Sequence, residues 1–199
     1  EAIDNGERDA WIDAAIAALK QTLGEADYRA VFDAGLDAEV ADIREDLQQF
    51  GVTFDRWYSE RSLFTAGRIE QMLDILRARG YLYEQNGALW FRASDFGDEK
   101  DRVVKRENGI TTYFASDIAY HYDKYQRGYD RMIDIFGADH HGYMARVRAS
   151  LAALGLAPEK LDITLVQFAV LYKDGAKMQM STRSGQFVTL RDLRAQVGS

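Results

Sequence analysis

The chain has 199 residues, 47% of them hydrophobic, 12% aromatic and 29% charged, with a formal net charge of −7. That balance excludes a disordered, fibrous or collagenous chain and allows a sizeable core in one domain, or one domain with a small appendage. With no Cys and a single Pro, a disulfide framework, a Cys-ligated zinc site and a thiol nucleophile are excluded as well.

The first half reads mostly as helices. Trp11, Ile12, Ala15, Ile16 and Leu19 form one stripe, ended by Gly24. Leu36, Val40, Ile43, Leu47 and Phe50 form a second, stepping by four and three residues up to Gly51. Ile69, Met72, Leu73 and Leu76 form a third, stopped at Gly80. Each stripe predicts an amphipathic helix with its apolar face in a core.

From Tyr81 the period changes. Tyr81–Gln85 and Ala88–Arg92 flank Asn86-Gly87, the pair that a two-residue type I′ hairpin favours because both turn positions need φ > 0. Asn108-Gly109 predicts a second turn, between strands Arg102–Glu107 and Ile110–Phe114. The remainder alternates: a helix from Asp117 to Arg127, a strand Met132–Phe136, then a helix opened by Gly137-Ala138-Asp139. That helix carries Met144, Val147, Leu151 and Leu154, and Gly155 closes it before a buried strand Leu161–Leu171. Strand, helix and strand with tight turns predict a parallel sheet, whose ligands sit beyond the carboxyl ends of the strands. A loop over Tyr172–Gln186 and a helix beginning at Thr189 follow.

Charge divides unevenly. Residues 1–99 carry 10 basic and 21 acidic side chains, while residues 100–199 carry 15 and 11 together with all three His. A polyanion or nucleotide therefore fits the second half better. Three constellations there could carry chemistry. At Tyr113-Phe114-Ala115-Ser116-Asp117 the Asp serves either as a helix-start acid or as a carboxylate receiving a guanidinium in bidentate fashion beside a Tyr hydroxyl. At Gly137-Ala138-Asp139-His140-His141-Gly142-Tyr143 the His pair serves either packing and capping or a nucleotide at a helix start. The stretch Lys173–Gly185 is either a surface connection or a basic, hydroxyl-rich loop that closes over phosphates.

Together these stretches resemble one family. Asp-Ile-Ala-Tyr-His-Tyr-Asp-Lys-Tyr at 117–125, Gly-Ala-Asp-His-His-Gly-Tyr at 137–143 and Met-Ser-Thr-Arg-Ser-Gly-Gln-Phe-Val-Thr-Leu at 180–190 are similar to arginyl-tRNA synthetases. Asp95–Val103 and the run from Glu45 through Asp55 fit the same family, and the resemblance covers roughly residues 40–197. It implies an α/β fold: the second half of a class I synthetase nucleotide-binding, Rossmann-like parallel sheet, preceded by a largely helical insertion with β-hairpins. The implied boundaries are 1–110 for the insertion and 111–199 for the C-terminal half of the catalytic domain. The chain opens at Glu1 and its first Met is Met72, so a fragment of a longer protein, itself inactive, is the expectation.

The resemblance also implies roles. Tyr113 and Asp117 would hold the arginine substrate, with His140 near it. Asp139, His141, Met180 and Ser181 would bind ATP. Ser181, Thr182 and Arg183 would act in the loop that takes the place of the class Lys-Met-Ser-Lys-Ser element, where Gln179 and Thr182 replace both lysines. Arg183 and Lys177 remain as phosphate candidates. The implied partners are L-arginine, ATP with Mg²⁺ bridging its phosphates and no protein-held metal, and tRNA(Arg). The parent would be a monomeric ligase of the cytoplasm. No apolar run approaches the ~18–20 residues of a membrane helix, and no basic, apolar leader opens the chain, so no membrane partner is expected. Two alternatives stand beside this: a non-catalytic nucleotide- or arginine-binding module, and a metal-dependent phosphoesterase built on Asp139-His140-His141, which would need further ligands.

Overall fold

The computed structural model describes residues 5–167, 169–173, 175–178 and 188–198. They fall into two compact units, one within residues 1–56 and 179–199 and the other Trp57–Met178.

In the first unit α1 (Asn5–Gln49) consists of two helical runs joined at Gly24, whose φ of 76° and ψ of 165° are non-helical. The expected break at Gly24 is therefore present. Gly51 ends α1 with φ 79°, and the amides of Gly51 and Val52 turn back onto the carbonyls of Gln48 and Leu47. This is a Schellman closure, which needs the left-handed conformation that Gly adopts without strain. The helix α6 (Leu190–Val197) starts at a capping box, with the Thr189 hydroxyl accepting the Asp192 amide and the Asp192 carboxylate accepting the Thr189 amide. Its Arg191 reaches Asp46 through Nε and Asp42 through Nη2, both at 2.8 Å. The two acids lie one helical turn apart on α1, so one guanidinium fork spans both. The expectation that the α1 stripes form a core is corrected: Trp11 is 71% exposed and Ile43 48%. Periodicity reports which side chains share a face; it does not supply the partner that covers them.

In the second unit, α2 (Arg61–Thr65) and α3 (Arg68–Ala78) precede a three-stranded antiparallel sheet of β1 (Leu82–Gln85), β2 (Ala88–Phe91) and β3 (Arg102–Lys105). The β1–β2 turn has φ 52° at Asn86 and 74° at Gly87, the type I′ geometry expected from the sequence. Leu63, Leu73, Leu76, Phe91, Val104, Phe114 and Ile118 are fully or nearly fully buried in one core between these elements and α4 (Tyr113–Gln126).

The strand expected at Ile110–Phe114 is absent. Beyond β3 only one bridge forms, Lys105 with Thr111. Thr112 is extended and caps α4, while its hydroxyl donates to the Val103 carbonyl at 2.9 Å. α4 thus begins four residues earlier than the expected Asp117. A parallel β–α–β unit follows: β4 (Met132–Gly137), α5 (Tyr143–Ala153) and β5 (Leu161–Val166), with Met132 opposite Leu161. Gly137-Ala138-Asp139 opens only a single 3₁₀ turn, Ala138–His140, ahead of α5. β5 stops at Val166 instead of running buried to Leu171, and only Leu161 in it is fully buried. The start of the expected Tyr172–Gln186 loop is a hairpin, β6 (Tyr172–Lys173) with β7 (Ala176–Lys177). Residues 174 and 179–186 of that expectation lie outside the described residues.

Asp98 joins α5 to the antiparallel sheet. Its buried carboxylate receives Arg102 Nε at 2.7 Å and Nη2 at 2.6 Å, and the Glu99 amide at 2.8 Å. Burial pushes this carboxyl upward, but the Arg102 fork outweighs it and holds the group below the usual carboxylate range. A depressed folded pKa gives stability that is present above the unfolded value of ~4 and is lost as pH falls through the folded one. Asp98→Ala leaves the buried Arg102 guanidinium with only the exposed Glu99 carboxylate, 3.2 Å from Nη2, and is expected to cost about 3 kcal/mol at pH 7. Urea denaturation checks this, and the difference from the unsubstituted protein should shrink in acid.

Candidate functional site

Helical spacing puts Tyr113, Asp117, Tyr120, His121 and Lys124 on one face of α4. They line a cleft of about 460 Å³ with Phe136 at the carboxyl end of β4, His140 on the following turn and Tyr143 at the start of α5. Tyr113, Ser116, Asp117 and Tyr120 of α4 also line a neighbouring cleft of about 300 Å³ together with Tyr58, Glu60 and Leu63. Asp117 therefore stands between two hollows, at the edge where a parallel sheet places its ligands.

The electrostatics of Asp117 are unusual for a surface acid. The Tyr143 hydroxyl donates to its carboxylate. Burial pushes the Asp117 carboxyl above its ordinary range, and the Glu60 charge adds to this; the Tyr143 bond, His121 and Lys124 oppose it without cancelling it. The same burial and the Asp117 charge push the Tyr143 phenol strongly up, so it stays a donor. Arg146 lies over the Tyr143 ring at 4.8 Å, and its Nε is 3.9 Å from Asp98 Oδ2. Asp117 is not a helix-start acid, because it lies a full turn inside α4 and its carboxylate is engaged by a phenol of α5.

His140 is at the cleft mouth, half exposed, with its ring 6.3 Å from Tyr143 and 6.0 Å from Phe136. Its Nδ1 is 3.1 Å from Asp139 Oδ1. Asp139 folds back over Gly137, where a Cβ would come within 2.6 Å of Asp139 Oδ1. Asp139 and His141 are exposed on the turn. The structure thus brings Tyr113, Asp117 and His140 to one cleft, with Asp139 and His141 beside its mouth. Met180, Ser181, Thr182 and Arg183 lie outside the described residues. Among the described residues no three His, Asp or Glu side chains gather as a metal site, around Asp139-His140-His141 or elsewhere.

Sequence reasoning missed Glu60, Tyr120, His121, Lys124 and the role of Tyr143. The spacing from Asp117 along α4 pointed to three of them. Glu60 carried no local signal, because only the fold brings it to Asp117.

Burial makes ionised Asp117 a liability for the fold. A carboxyl with a raised folded pKa favours its protonated form, so stability falls as pH rises from the unfolded pKa through the folded one. Asp117→Asn, which is neutral at every pH and still accepts from Tyr143, is expected to raise Tm at pH 7 without ligand. Calorimetry should show the gain vanishing near pH 3.

Comparison with known proteins supplies context for this geometry. A family model described as tRNA synthetases class I (R), catalytic domain, matches residues 19–197. The arginine–tRNA ligase of Dichelobacter nodosus is 68% identical over 199 residues, all of this chain and 34% of that protein. That of Thioalkalivibrio sulfidiphilus is 61% identical over 195 residues, 98% of this chain and 33% of that protein. The chain thus spans about a third of the length of these relatives. A Campylobacter jejuni structure described as an arginyl-tRNA synthetase superposes with a TM-score of 0.80 at 35% identity, over the whole chain and 44% of its own length. The Thermus thermophilus arginyl-tRNA synthetase shares the fold with a TM-score of 0.66 at 21% identity, over 92% of this chain and 38% of its own.

Proposed function

The chain belongs to the class I tRNA synthetases (R), within their catalytic domain, and from that membership we propose that it supplies the arginine-receiving part of an arginine–tRNA ligase. The observation that carries this reading is the Asp117 carboxylate, desolvated between two clefts, with Glu60 as a second acid in one of them. A guanidinium is planar, always charged and rich in donors, and its stacking suits the aromatic walls Tyr58, Tyr113 and Tyr120. It would give Asp117 the counter-charge that the free site withholds.

In this reading the arginine carboxylate attacks the α-phosphorus of ATP, expelling pyrophosphate and forming arginyl-adenylate. A ribose hydroxyl at the tRNA end then attacks the adenylate carbonyl and AMP leaves. The chain's contribution is positioning and charge stabilisation. Tyr113 and Asp117 hold the substrate, with His140 at the mouth. Asp139, His141, Met180 and Ser181 would bind ATP, taken as its Mg²⁺ complex with the ion supplying charge neutralisation, and Ser181, Thr182 and Arg183 would act on the phosphates. Residues 1–110 are read as the insertion and 111–199 as the C-terminal half of a Rossmann-like catalytic domain, acting in the cytoplasm. The activity is that of the full-length protein, of which this segment is one part.

Arginine-dependent ATP–pyrophosphate exchange by the full-length protein tests the reading. Asp117→Asn removes the charge that faces the guanidinium, an effect on the order of 3–5 kcal/mol. That corresponds to a kcat/KM for arginine roughly 10²- to 4 × 10³-fold lower. An unchanged kcat/KM would remove Asp117 from the site, and calorimetric arginine binding without exchange would point to a binding module instead.

A further inference from the structure

The site receives a cation, yet it contains one of its own. Lys124 lies on the Asp117 face of α4, lines the same cleft, and is close enough for its charge to act on the Asp117 carboxyl. An ammonium on a four-carbon stem is free to swing, and a desolvated carboxylate with a single hydroxyl partner is an attractive place for it to settle. Something must hold it back.

Asp134 does so. Strand alternation turns it inward from β4 between Met132 and Phe136, and its side chain is 4% exposed. Oδ1 is 2.5 Å from Lys124 Nζ, and Oδ2 is 2.6 Å from His121 Nε2. Burial pushes the Asp134 carboxyl up, but these two bonds outweigh it and hold the group below the usual range. His121 is committed on both sides, because its Nδ1 is 2.7 Å from the Asp117 carbonyl oxygen, which can only accept. The ring is thereby fixed between the Asp117 carbonyl and the Asp134 carboxylate. Lys124 is steadied further by the Tyr120 ring, 4.5 Å from Nζ.

We infer that Asp134 is a positioning residue for cation recognition: it holds Lys124, with His121 fixing the second carboxylate oxygen, so that the chain's own ammonium does not fill the Asp117 site. This rests on reading Asp117 as the partner of arginine, and it deepens that reading by naming what keeps the acid vacant. It also predicts the consequence of failure. Without Asp134, Lys124 becomes an internal competitor of the substrate, so the effect falls on arginine affinity and is relieved by removing Lys124.

The experiment uses the full-length protein and arginine-dependent ATP–pyrophosphate exchange. Asp134→Asn is expected to raise the KM for arginine at least tenfold with kcat within threefold. The double substitution Asp134→Asn with Lys124→Met is expected to bring KM back to within threefold of the starting value, which a general loss of structure would not do. An unchanged KM in Asp134→Asn, or no recovery in the double variant, overturns the inference. Should Asp134→Asn not fold, Lys124→Arg keeps the charge with a longer fork that spans Asp134 and Asp117. A raised KM for arginine is expected there, and an unchanged one overturns the inference. A crystal structure of the full-length Asp134→Asn protein separates this from the parent reading. Lys124 Nζ within hydrogen-bond distance of the Asp117 carboxylate supports the holding role even if arginine is not the substrate, and Lys124 remaining away from Asp117 refutes it.

Discussion

Placing a carboxylate on the inward side of a strand costs several kcal/mol unless donors meet both oxygens. Asp134 meets this constraint with two donors from a single helix, His121 and Lys124, which lie three residues apart on α4. The arrangement fixes more than a pair of bonds. It sets the rotation of α4 about its axis, because only one orientation points both residues at β4. The apolar residues Phe114, Ala115, Ile118 and Ala119 agree with it, being buried against α3 and the antiparallel sheet. With that rotation set, Tyr113, Asp117 and Tyr120 have no choice but to face the clefts.

Asp117 and Asp134 are two buried acids with opposite fates. Asp134 is bonded to Lys124 and His121 and its carboxyl is held down; Asp117 has a phenol and its carboxyl is pushed up. The first is bonded through both oxygens within the fold; the second, on the function proposed above, is the one that meets a ligand. The neighbouring contacts maintain the difference. Tyr143 donates to Asp117, Arg146 lies across the Tyr143 ring, and Arg146 faces Asp98, which Arg102 already satisfies. The route from Asp98 to Asp117 runs through a ring face and a hydroxyl, so it orients the site without delivering a full positive charge to it. Stability given up at Asp117 is the usual companion of binding capacity.

Much of the fold was legible. The Asn86-Gly87 turn, the breaks at Gly24, Gly51 and Gly80, and the β–α–β unit follow from φ requirements and periodicity that the chain carries locally. The misreadings share a cause. Ile110-Thr111-Thr112-Tyr113-Phe114 is β-branched and aromatic, so it reads as strand; Thr112 instead spends its hydroxyl on the Val103 carbonyl and caps a helix whose first turn is Tyr113 and Phe114. Propensity yielded to the Thr112–Val103 bond and to burial of Phe114. On α1 the four-and-three stepping is real, but the cover that would bury Ile43 is a property of another element, which no periodicity encodes. The strand at Leu161 likewise reads as buried, whereas in β5 only Leu161 is fully buried; on β4 Ile133 and Ile135 are exposed.

Of the site, the motif residues Tyr113, Asp117 and His140 were legible, and the residues that give Asp117 its character were not. One of them did leave a trace. In Met132-Ile133-Asp134-Ile135-Phe136 the alternation puts the acid on the side of Met132 and Phe136, the inward side, where a charge contradicts the pattern around it. Such a local contradiction marks either a strained or a functional position. It also specifies its own remedy, since an inward carboxylate on a strand that follows a helix calls for cations on that helix. His121 and Lys124 are separated by three residues, the spacing that presents two side chains to one point. The contradiction in the strand and the spacing on the helix are each unremarkable alone. Taken together they predict the joint that orients α4, and with it the open carboxylate one turn before His121.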